Sequence, residues 1–424
     1  MLSAFSKLAA ATGITLVPNR SFIAFMSAFR ASNVVWVNLS ALSDLSIRLS
    51  TFSVKPPIPK QPVLDETIKP NNRHLIILLF ITGLFFSLVS TSLLVSDKLD
   101  TNDYAFFFKH LTFVILGLII IFVLSSINEE KLFRISPVIF LFSLFTLLLV
   151  PILGVEVNSA QRWIDLYILP RFQPIELVKP FLIILISLIL SSEKYSNIYL
   201  KYLFSFVITL FIALLLAAQP DIGQTLLVFF IWSVLIFISG INIIFLTTSC
   251  LILFIGLYFI INFVSKFEYI KNRILSFFNT ETGTHNAQSE KAIDSITSGG
   301  FFGKGIGEGT LKNRIPEAHT DYIISVISEE FGVIAIILIL LMFLIFIYSV
   351  FKKVYFENVE RTKLVLVGCI SLILVQAMIH IGVNIKLFPT TGMTLPFISY
   401  GGSSTISIAI LSGIILNLTK RKIN

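Results

Sequence analysis

The chain of 424 residues is 55% hydrophobic and only 13% charged, with a mean hydropathy of +0.90. Soluble domains carry about 25% charged residues, so this composition excludes a soluble globular protein. The net charge of +8 suits the cytoplasmic loops of a membrane protein, and no basic stretch is interleaved with aromatic residues as nucleic-acid binding would require.

Residues 1–70 differ in character from the rest of the chain. The stretch to Ser53 is rich in serine and carries three arginines against a single acid, Asp44, and a proline-rich linker follows it. The pattern superficially resembles a transit peptide. The favoured interpretation is a poorly ordered cytoplasmic extension, or a start codon assigned upstream of the real one.

Ten apolar runs follow, each close to the length needed to span a bilayer. They lie near 75–95, 105–127, 135–153, 175–192, 202–218, 222–240, 243–264, 322–350, 364–385 and 400–418. Pro220, between the fifth and sixth runs, predicts a tight turn with proline at the first helical position. The sequence therefore predicts an all-α integral membrane protein with about ten transmembrane helices in one membrane domain, 71–424.

The distribution of Lys and Arg over the short loops predicts the orientation. With the N-terminus inside, the cytoplasmic loops and tail hold eleven basic residues and the opposite loops hold four. Both termini are therefore expected in the cytoplasm, and the long segment 265–321, between spans seven and eight, outside. Chemistry on that face has no direct access to cytoplasmic ATP or nucleotide sugars, so a synthetic reaction there requires a donor that arrives already activated.

Polar residues beside apolar spans are functional candidates because they are expensive in lipid. The first cluster contains Arg162, ahead of the fourth span, and Glu176 and Lys179 at its start. Glu176 and Lys179 are three residues apart on one helix face, so a structural ion pair is one interpretation. A cationic pocket for phosphates, formed by Arg162 and Lys179, is the other, and the residues alone leave both open.

The second cluster lies at the end of the long outer segment. A glycine-rich stretch, 299–309, permits tight turns and close approach of a ligand, and Glu317, His319 and Asp321 follow it. One interpretation is that Thr320 or Asp321 only caps the eighth span. However, polar or small residues also form a stripe that enters the span from this end, with Glu329 at its edge, and the stripe favours a hydrated cavity. Its members are Asp321, Ser325, Ser328 and Gly332.

The third cluster joins the last two spans. His380 and Asn384 end the ninth span, and the segment 389–404, rich in proline, glycine and serine, opens the tenth. Small residues such as Ser403 favour close helix packing, which is the preferred interpretation. Free backbone N–H groups at the helix start, which would hold an anion, are the alternative.

No motif in the chain predicts nucleotide hydrolysis or zinc binding. The two cysteines, Cys250 and Cys369, lie inside apolar runs, which is typical of packed thiols. No ligand spacing predicts a divalent cation, so no cofactor is assigned, although a divalent cation is compatible with phosphate chemistry at this site.

Three segments, taken in order, resemble the SEDS family (shape, elongation, division and sporulation), and the resemblance runs from about residue 75 to 420. The segments are 218–226 (AQPDIGQTL), 316–321 (PEAHTD) with 329–332 (EEFG), and 395–404 (LPFISYGGSS). Ala318, where the elongation branch (RodA) usually has arginine, makes the chain similar to the division-specific FtsW branch. Residues 1–70 match nothing in the family.

The resemblance implies a glycosyltransferase that polymerises lipid II on the outer face of the bacterial cytoplasmic membrane, at the division septum. The family's essential aspartate falls on Asp321, and its cavity positions include Arg162, Glu176 and Lys179. Glu317, His319 and Ser403 are further candidates for substrate binding. The resemblance also implies a class B penicillin-binding transpeptidase as partner.

The same residues are compatible with three alternatives. A lipid II flippase would also place charged residues at helix ends, but it should carry polar residues on both sides of the membrane, whereas these clusters concentrate on the outer side. An elongation-type (RodA) polymerase would share the chemistry. A scaffold that recruits the transpeptidase is compatible with the enzyme.

Overall fold

The computed structural model describes residues 72–91, 105–157, 160–165, 171–193, 197–241, 243–264, 267–278, 284–310, 315 and 318–420. The predicted N-terminal extension lies outside these residues. The first part of the described chain contains α1 (Asn72–Thr91), α2 (Ala105–Ser126), α3 (Glu129–Leu153), β1 (Gly154–Val157) and β2 (Ala160–Ile164).

Nine further helices complete the described chain. They are α4 (Pro174–Leu190), α5 (Ile198–Ala218), α6 (Ile222–Ile238), α7 (Ile243–Phe263), α8 (Glu268–Phe278), α9 (Thr284–Gly299), α10 (Ile323–Phe356), α11 (Glu360–Asn384) and α12 (Gly402–Thr419). Every predicted apolar run coincides with a helix, and α8 and α9 lie in the predicted outer segment.

Eight of the described helices are long and apolar enough to cross a membrane, whereas α6 is apolar but shorter. An α-helical membrane architecture is thus confirmed, and the count of ten spans stays a prediction. The third helix begins earlier than its apolar run, at Glu129, where Asn128 accepts a hydrogen bond from the Glu130 N–H and caps the helix. Pro220 precedes α6 instead of opening it, because Asp221 is the N-cap and accepts from the Gln224 N–H.

Helices α11 and α12 lie at the centre of the bundle, and α7 lies at its periphery. The apolar windows of α11 and α12 are 72% and 67% buried, against 17% for α7. Close approach to α12 depends on small residues: a Cβ at Gly402 would overlap the Phe113 ring, and one at Gly413 would crowd Leu124. These contacts agree with the packing interpretation of the glycine- and serine-rich start of α12.

The longest helix, α10, is broken at Gly332, whose φ of 74° lies in the left-handed region. Beyond the break, residues 333–356 are about 36 Å long, enough to cross a hydrocarbon core of about 30 Å. The residues before the break, Ile323–Phe331, pack against α9 and the glycine-rich stretch. Ser325 and Ser328 of the predicted polar stripe are therefore covered by protein, whereas Asp321 at its start is half-buried, and the hydrated cavity stays a prediction.

The glycine-rich stretch satisfies the backbone groups that the break would leave unpaired. The carbonyls of Glu329 and Glu330 accept from the N–H groups of Lys304 (2.9 Å) and Gly305 (3.0 Å). Beyond Gly332, the N–H groups of residues 333 and 334 donate to the carbonyls of residues 300 and 301, at 3.0 and 3.3 Å. A broken helix is tolerated at membrane depth only when neighbouring structure supplies such partners.

Candidate functional site

Side chains from all three sequence clusters lie at one end of the bundle. We call it the polar end: here α4, α6, α10 and α12 begin, α11 ends, and the β1–β2 hairpin lies. The segment 389–401 runs across this end before α12. Its hydrogen bonds and packing contacts, described below, link the clusters.

Arg162, on β2, binds the turn between α5 and α6. Its guanidinium donates to the Gln219 carbonyl (Nε–O 3.4 Å) and to the Pro220 carbonyl, and its Nε lies 3.7 Å from Asp221 Oδ2. Burial raises the pKa of Asp221 above its usual range, and the Arg162 charge opposes that rise. The Arg162 side chain keeps 20% of its surface exposed, so it remains within reach of a ligand.

Glu176 and Lys179 form a buried ion pair at the start of α4. Lys179 Nζ lies 2.7 Å from Glu176 Oε1 and 3.1 Å from the Gln224 amide oxygen, and the Gln224 Nε2 donates to the same Glu176 oxygen at 3.2 Å. Both charged side chains are at least 96% buried. Of the two interpretations that the sequence left open, a structural ion pair or a phosphate pocket, this geometry matches the ion pair. Through Gln224, the pair also links α4 to α6.

Gln173 and Ser403 connect these groups to α12. The Gln173 side-chain amide donates to Asp221 Oδ2 at 3.2 Å, and its backbone N–H donates to Ser403 Oγ at 2.9 Å. A cavity of about 160 Å³ lies beside them, with apolar walls and one charged side chain. Its lining residues are Phe113, Arg171, Phe172, Gln173, Leu177, Gly402, Ser403 and Ile406.

Asp321 is half-buried and precedes α10. The N-cap of α10 is Tyr322, which makes no side-chain capping bond, so the interpretation of Thr320 or Asp321 as the cap was wrong. The Asp321 carboxylate faces Gly392: a Cβ added at Gly392 would stand 3.8 Å from Asp321 Oδ2. The neighbouring Thr391 packs against Gly223 at the start of α6, so one short segment separates Asp321 from the Asp221 turn.

His319 lies in an aromatic cluster two residues before Asp321. Its ring centroid is 5.6 Å from those of Phe106 and Tyr400, and the ring of His110 is 5.6 Å from that of Tyr400. Glu317, the remaining predicted binding residue, lies outside the described residues.

Three polar side chains that sequence reasoning left without a role belong to this network. Asp221 and Gln224, which are hydrogen-bonded to each other, join the two predicted cations, and Gln173 joins Asp221 to Ser403. Their signal in the sequence was their position, since each is a polar residue at the edge of an apolar run. Among the described residues, no three His, Cys, Asp or Glu side chains come together as metal ligands, so no residue set is assigned to a divalent cation.

The chain is similar to proteins of known name over most of its length. A probable peptidoglycan glycosyltransferase FtsW of Caulobacter vibrioides is 30% identical, over 81% of this chain and 87% of the relative. The corresponding protein of Haemophilus influenzae is 31% identical, with 81% and 88% covered.

Solved structures of similar proteins share the fold. A chain from a peptidoglycan synthase complex, described as coordinating polymerization and crosslinking, matches with a TM-score of 0.67 at 25% identity, over 81% of this chain and 96% of that chain. The rod shape determining protein RodA of Thermus thermophilus matches with a TM-score of 0.60 at 25% identity, over 81% and 94%. The family model for FtsW, RodA and SpoVE, described as cell cycle proteins, matches residues 71–424, and the chain belongs to this family.

Proposed function

We propose that this protein is a peptidoglycan glycosyltransferase that polymerises lipid II into glycan strands during cell division. One observation carries the proposal: in a chain of this family, a half-buried carboxylate, Asp321, lies at the same end of a membrane bundle as the partly exposed cation Arg162. A base and a cation at one end of the bundle suit a transfer between membrane-anchored substrates in which a pyrophosphate leaves.

The orientation is part of the proposal. The bias of eleven basic residues against four supports a molecule with ten spans, both termini in the cytoplasm and the polar end outside. Labelling from outside tests this: Asp294→Cys, in a chain with Cys250 and Cys369 replaced, should react with a membrane-impermeant maleimide in intact spheroplasts. Labelling only after lysis would contradict the orientation.

The reaction follows from the roles of these groups. The 4-hydroxyl of the incoming lipid II attacks C1 of the growing glycan, which is held as an undecaprenyl pyrophosphate. The new C1–oxygen bond forms as the C1–oxygen bond to pyrophosphate breaks, and the hydroxyl proton goes to the Asp321 carboxylate acting as general base. The leaving undecaprenyl pyrophosphate carries the bonding electron pair away.

The two cations, Arg162 and Lys179, have different proposed roles because they differ in exposure. Arg162 is the accessible one and is the candidate to stabilise the charge that develops on the pyrophosphate. Lys179 is buried and already bound to Glu176 and Gln224, so its contribution is to hold the start of α4 in place. Ser403, His319 and Glu317 are proposed to contact substrate. Ser403 lines the cavity beside Gln173, and the His319 ring lies beside Tyr400.

The proposed partner is a class B penicillin-binding transpeptidase, which would crosslink the strands that this protein makes. It is supported by the fold match to a chain of a complex described as coordinating polymerization and crosslinking. The FtsW names of the similar proteins favour a position at the division septum over the elongation machinery.

The experiment that tests the function is reconstitution of the wild-type protein with its transpeptidase and lipid II in vesicles. Glycan chains resolved on a gel would support the polymerase. If labelled lipid II crosses the bilayer and no polymer forms, the flippase is the function instead. The polar side chains linked at one end of the bundle favour the polymerase, because a carrier needs polar groups on both sides.

A further inference from the structure

The backbone that carries Asp321 is held at three consecutive carbonyl groups. The His319 carbonyl accepts from the Tyr400 N–H at 3.1 Å, and the Thr320 carbonyl accepts from Ser399 Oγ at 2.7 Å. The Asp321 carbonyl accepts from Asn384 Nδ2 at 3.0 Å. All three donors come from the end of α11 or from the segment before α12.

Both polar atoms of the Asn384 side chain make hydrogen bonds where α11 ends beside the start of α10. Its Nδ2 also donates to the His380 carbonyl at 2.9 Å, within its own helix. Its Oδ1 accepts from the Ser325 N–H at 3.2 Å and from the Ser325 hydroxyl at 2.9 Å. Tyr322, the N-cap of α10, makes no side-chain capping bond, and the Asn384 amide from a neighbouring helix accepts from the first-turn Ser325 N–H instead.

Ser399 is similarly fixed on the other side of Asp321. Its hydroxyl accepts from the Leu395 N–H at 2.8 Å and donates its single proton to the Thr320 carbonyl. Asn384 and Ser399 are 0% and 4% exposed, so water does not replace these bonds when a partner is lost.

We propose that Asn384 and Ser399 are positioning residues, which act on the transfer reaction through the placement of Asp321. The inference rests on the proposed function, in which the Asp321 carboxylate must lie within hydrogen-bond distance of the attacking hydroxyl. A shift of about 1 Å at a reacting group can reduce the rate about 100-fold. Three anchored carbonyls in sequence prevent such a shift in the residue whose side chain does the chemistry.

The chain offers, for each positioning residue, a control of the same residue type and similar burial. Asn417 is equally buried and donates to the Leu124 and Ile127 carbonyls (2.6 and 2.7 Å) at the far end of α12. Ser407 is 1% exposed, and its hydroxyl has no hydrogen-bond partner within the described part of the chain. Asn384→Leu is therefore compared with Asn417→Leu, and Ser399→Ala with Ser407→Ala.

The readout is polymerisation of lipid II by each reconstituted variant with the transpeptidase, with kcat and KM measured separately. We expect kcat to fall about 10- to 100-fold in Asn384→Leu and Ser399→Ala while KM changes less than about threefold. The two controls should stay within about threefold of the wild-type kcat. If Asn384→Leu does not fold, Ser399→Ala, which removes one hydroxyl, carries the test.

Failure of this inference is distinguishable from failure of the proposed function. If Asp321→Asn is inactive while Ser399→Ala and folded Asn384→Leu keep the wild-type kcat, the function stands and the positioning role is wrong. Equal losses of kcat in the controls would show a general structural effect and would also overturn it. If the wild-type protein makes no polymer, the proposed function fails first.

Discussion

Gly303→Ala is the substitution that most directly tests how the glycine-rich stretch is joined to the broken helix α10. Gly303 has a φ of 78°, and an added Cβ would overlap the Glu330 carbonyl. Alanine would therefore be strained by its backbone conformation and would also push the stretch away from α10.

The expected cost is set by these two effects. A left-handed conformation costs a non-glycine residue about 1–2 kcal/mol. Separation of the stretch from α10 would also lose the bonds from the N–H groups of Lys304 and Gly305, each worth about 1 kcal/mol. Gly303→Ala should thus lower the free energy of unfolding by about 3–4 kcal/mol.

Two other glycines separate these effects. Gly300 has a φ of 58° with nothing near its Cβ position, so Gly300→Ala should cost only about 1–2 kcal/mol. Gly256, inside α7, has open space and ordinary helical φ, so Gly256→Ala should be neutral or stabilising by about 1 kcal/mol. Unfolding would be followed at equilibrium in mixed detergent micelles. If Gly303→Ala costs no more than Gly300→Ala, the stretch does not depend on contact with α10, and the reasoning fails.

Three further substitutions test the buried charges. Lys179→Met should destabilise the fold by about 3–5 kcal/mol, because it leaves the Glu176 carboxylate buried without its cation, and in the same unfolding assay the double variant with Glu176→Leu should recover most of that loss. A single variant as stable as wild type would contradict the ion pair's structural role. Arg162→Gln removes the charge that opposes the raised pKa of Asp221, so that pKa should rise further. A raised carboxyl pKa lowers the free energy of unfolding only where the group is ionised. The loss of unfolding free energy in Arg162→Gln, relative to wild type, should therefore be larger at about pH 8 than at about pH 5.5. A loss that does not depend on pH would contradict this. Glu329→Leu removes the acceptor for Ser295, Thr310 and the half-exposed Lys304, so it should lower the free energy of unfolding by about 2–5 kcal/mol. A loss below about 1 kcal/mol would show that these bonds contribute little to stability.

The helices that coincide with apolar runs were predictable from the sequence because hydrophobic length is a strong signal, whereas α8 and α9, which are not apolar runs, were not predicted. Each apolar run contains a helix, and the ends that were missed, such as Glu129, are polar turns that extend a helix beyond its apolar part. The β1–β2 hairpin was not predicted. Its two strands are only four and five residues long, and their polar side chains do not alternate clearly enough to indicate strands.

The site was predicted as a set of residues but not as a network. Spacing along one helix gave the Glu176–Lys179 pair, because residues three apart are neighbours. Contacts between distant segments, such as Asn384 with Ser325, carry no local signal, so the sequence offered only the nearby Thr320 or Asp321 as a cap for α10. The Gly332 break was missed for the same reason, since the partners that make it tolerable lie about thirty residues earlier.

The central claim is that this family member is a polymerase whose general base is Asp321. Polymerisation of lipid II by Asp321→Asn, reconstituted with the transpeptidase, tests it most directly, with Asp294→Asn on the exposed face of α9 as the control for loss of a carboxylate. We expect the control to make glycan chains at the wild-type rate and Asp321→Asn to be slower by about 100- to 10,000-fold, with unchanged stability. Normal polymerisation by a folded Asp321→Asn protein would contradict the claim.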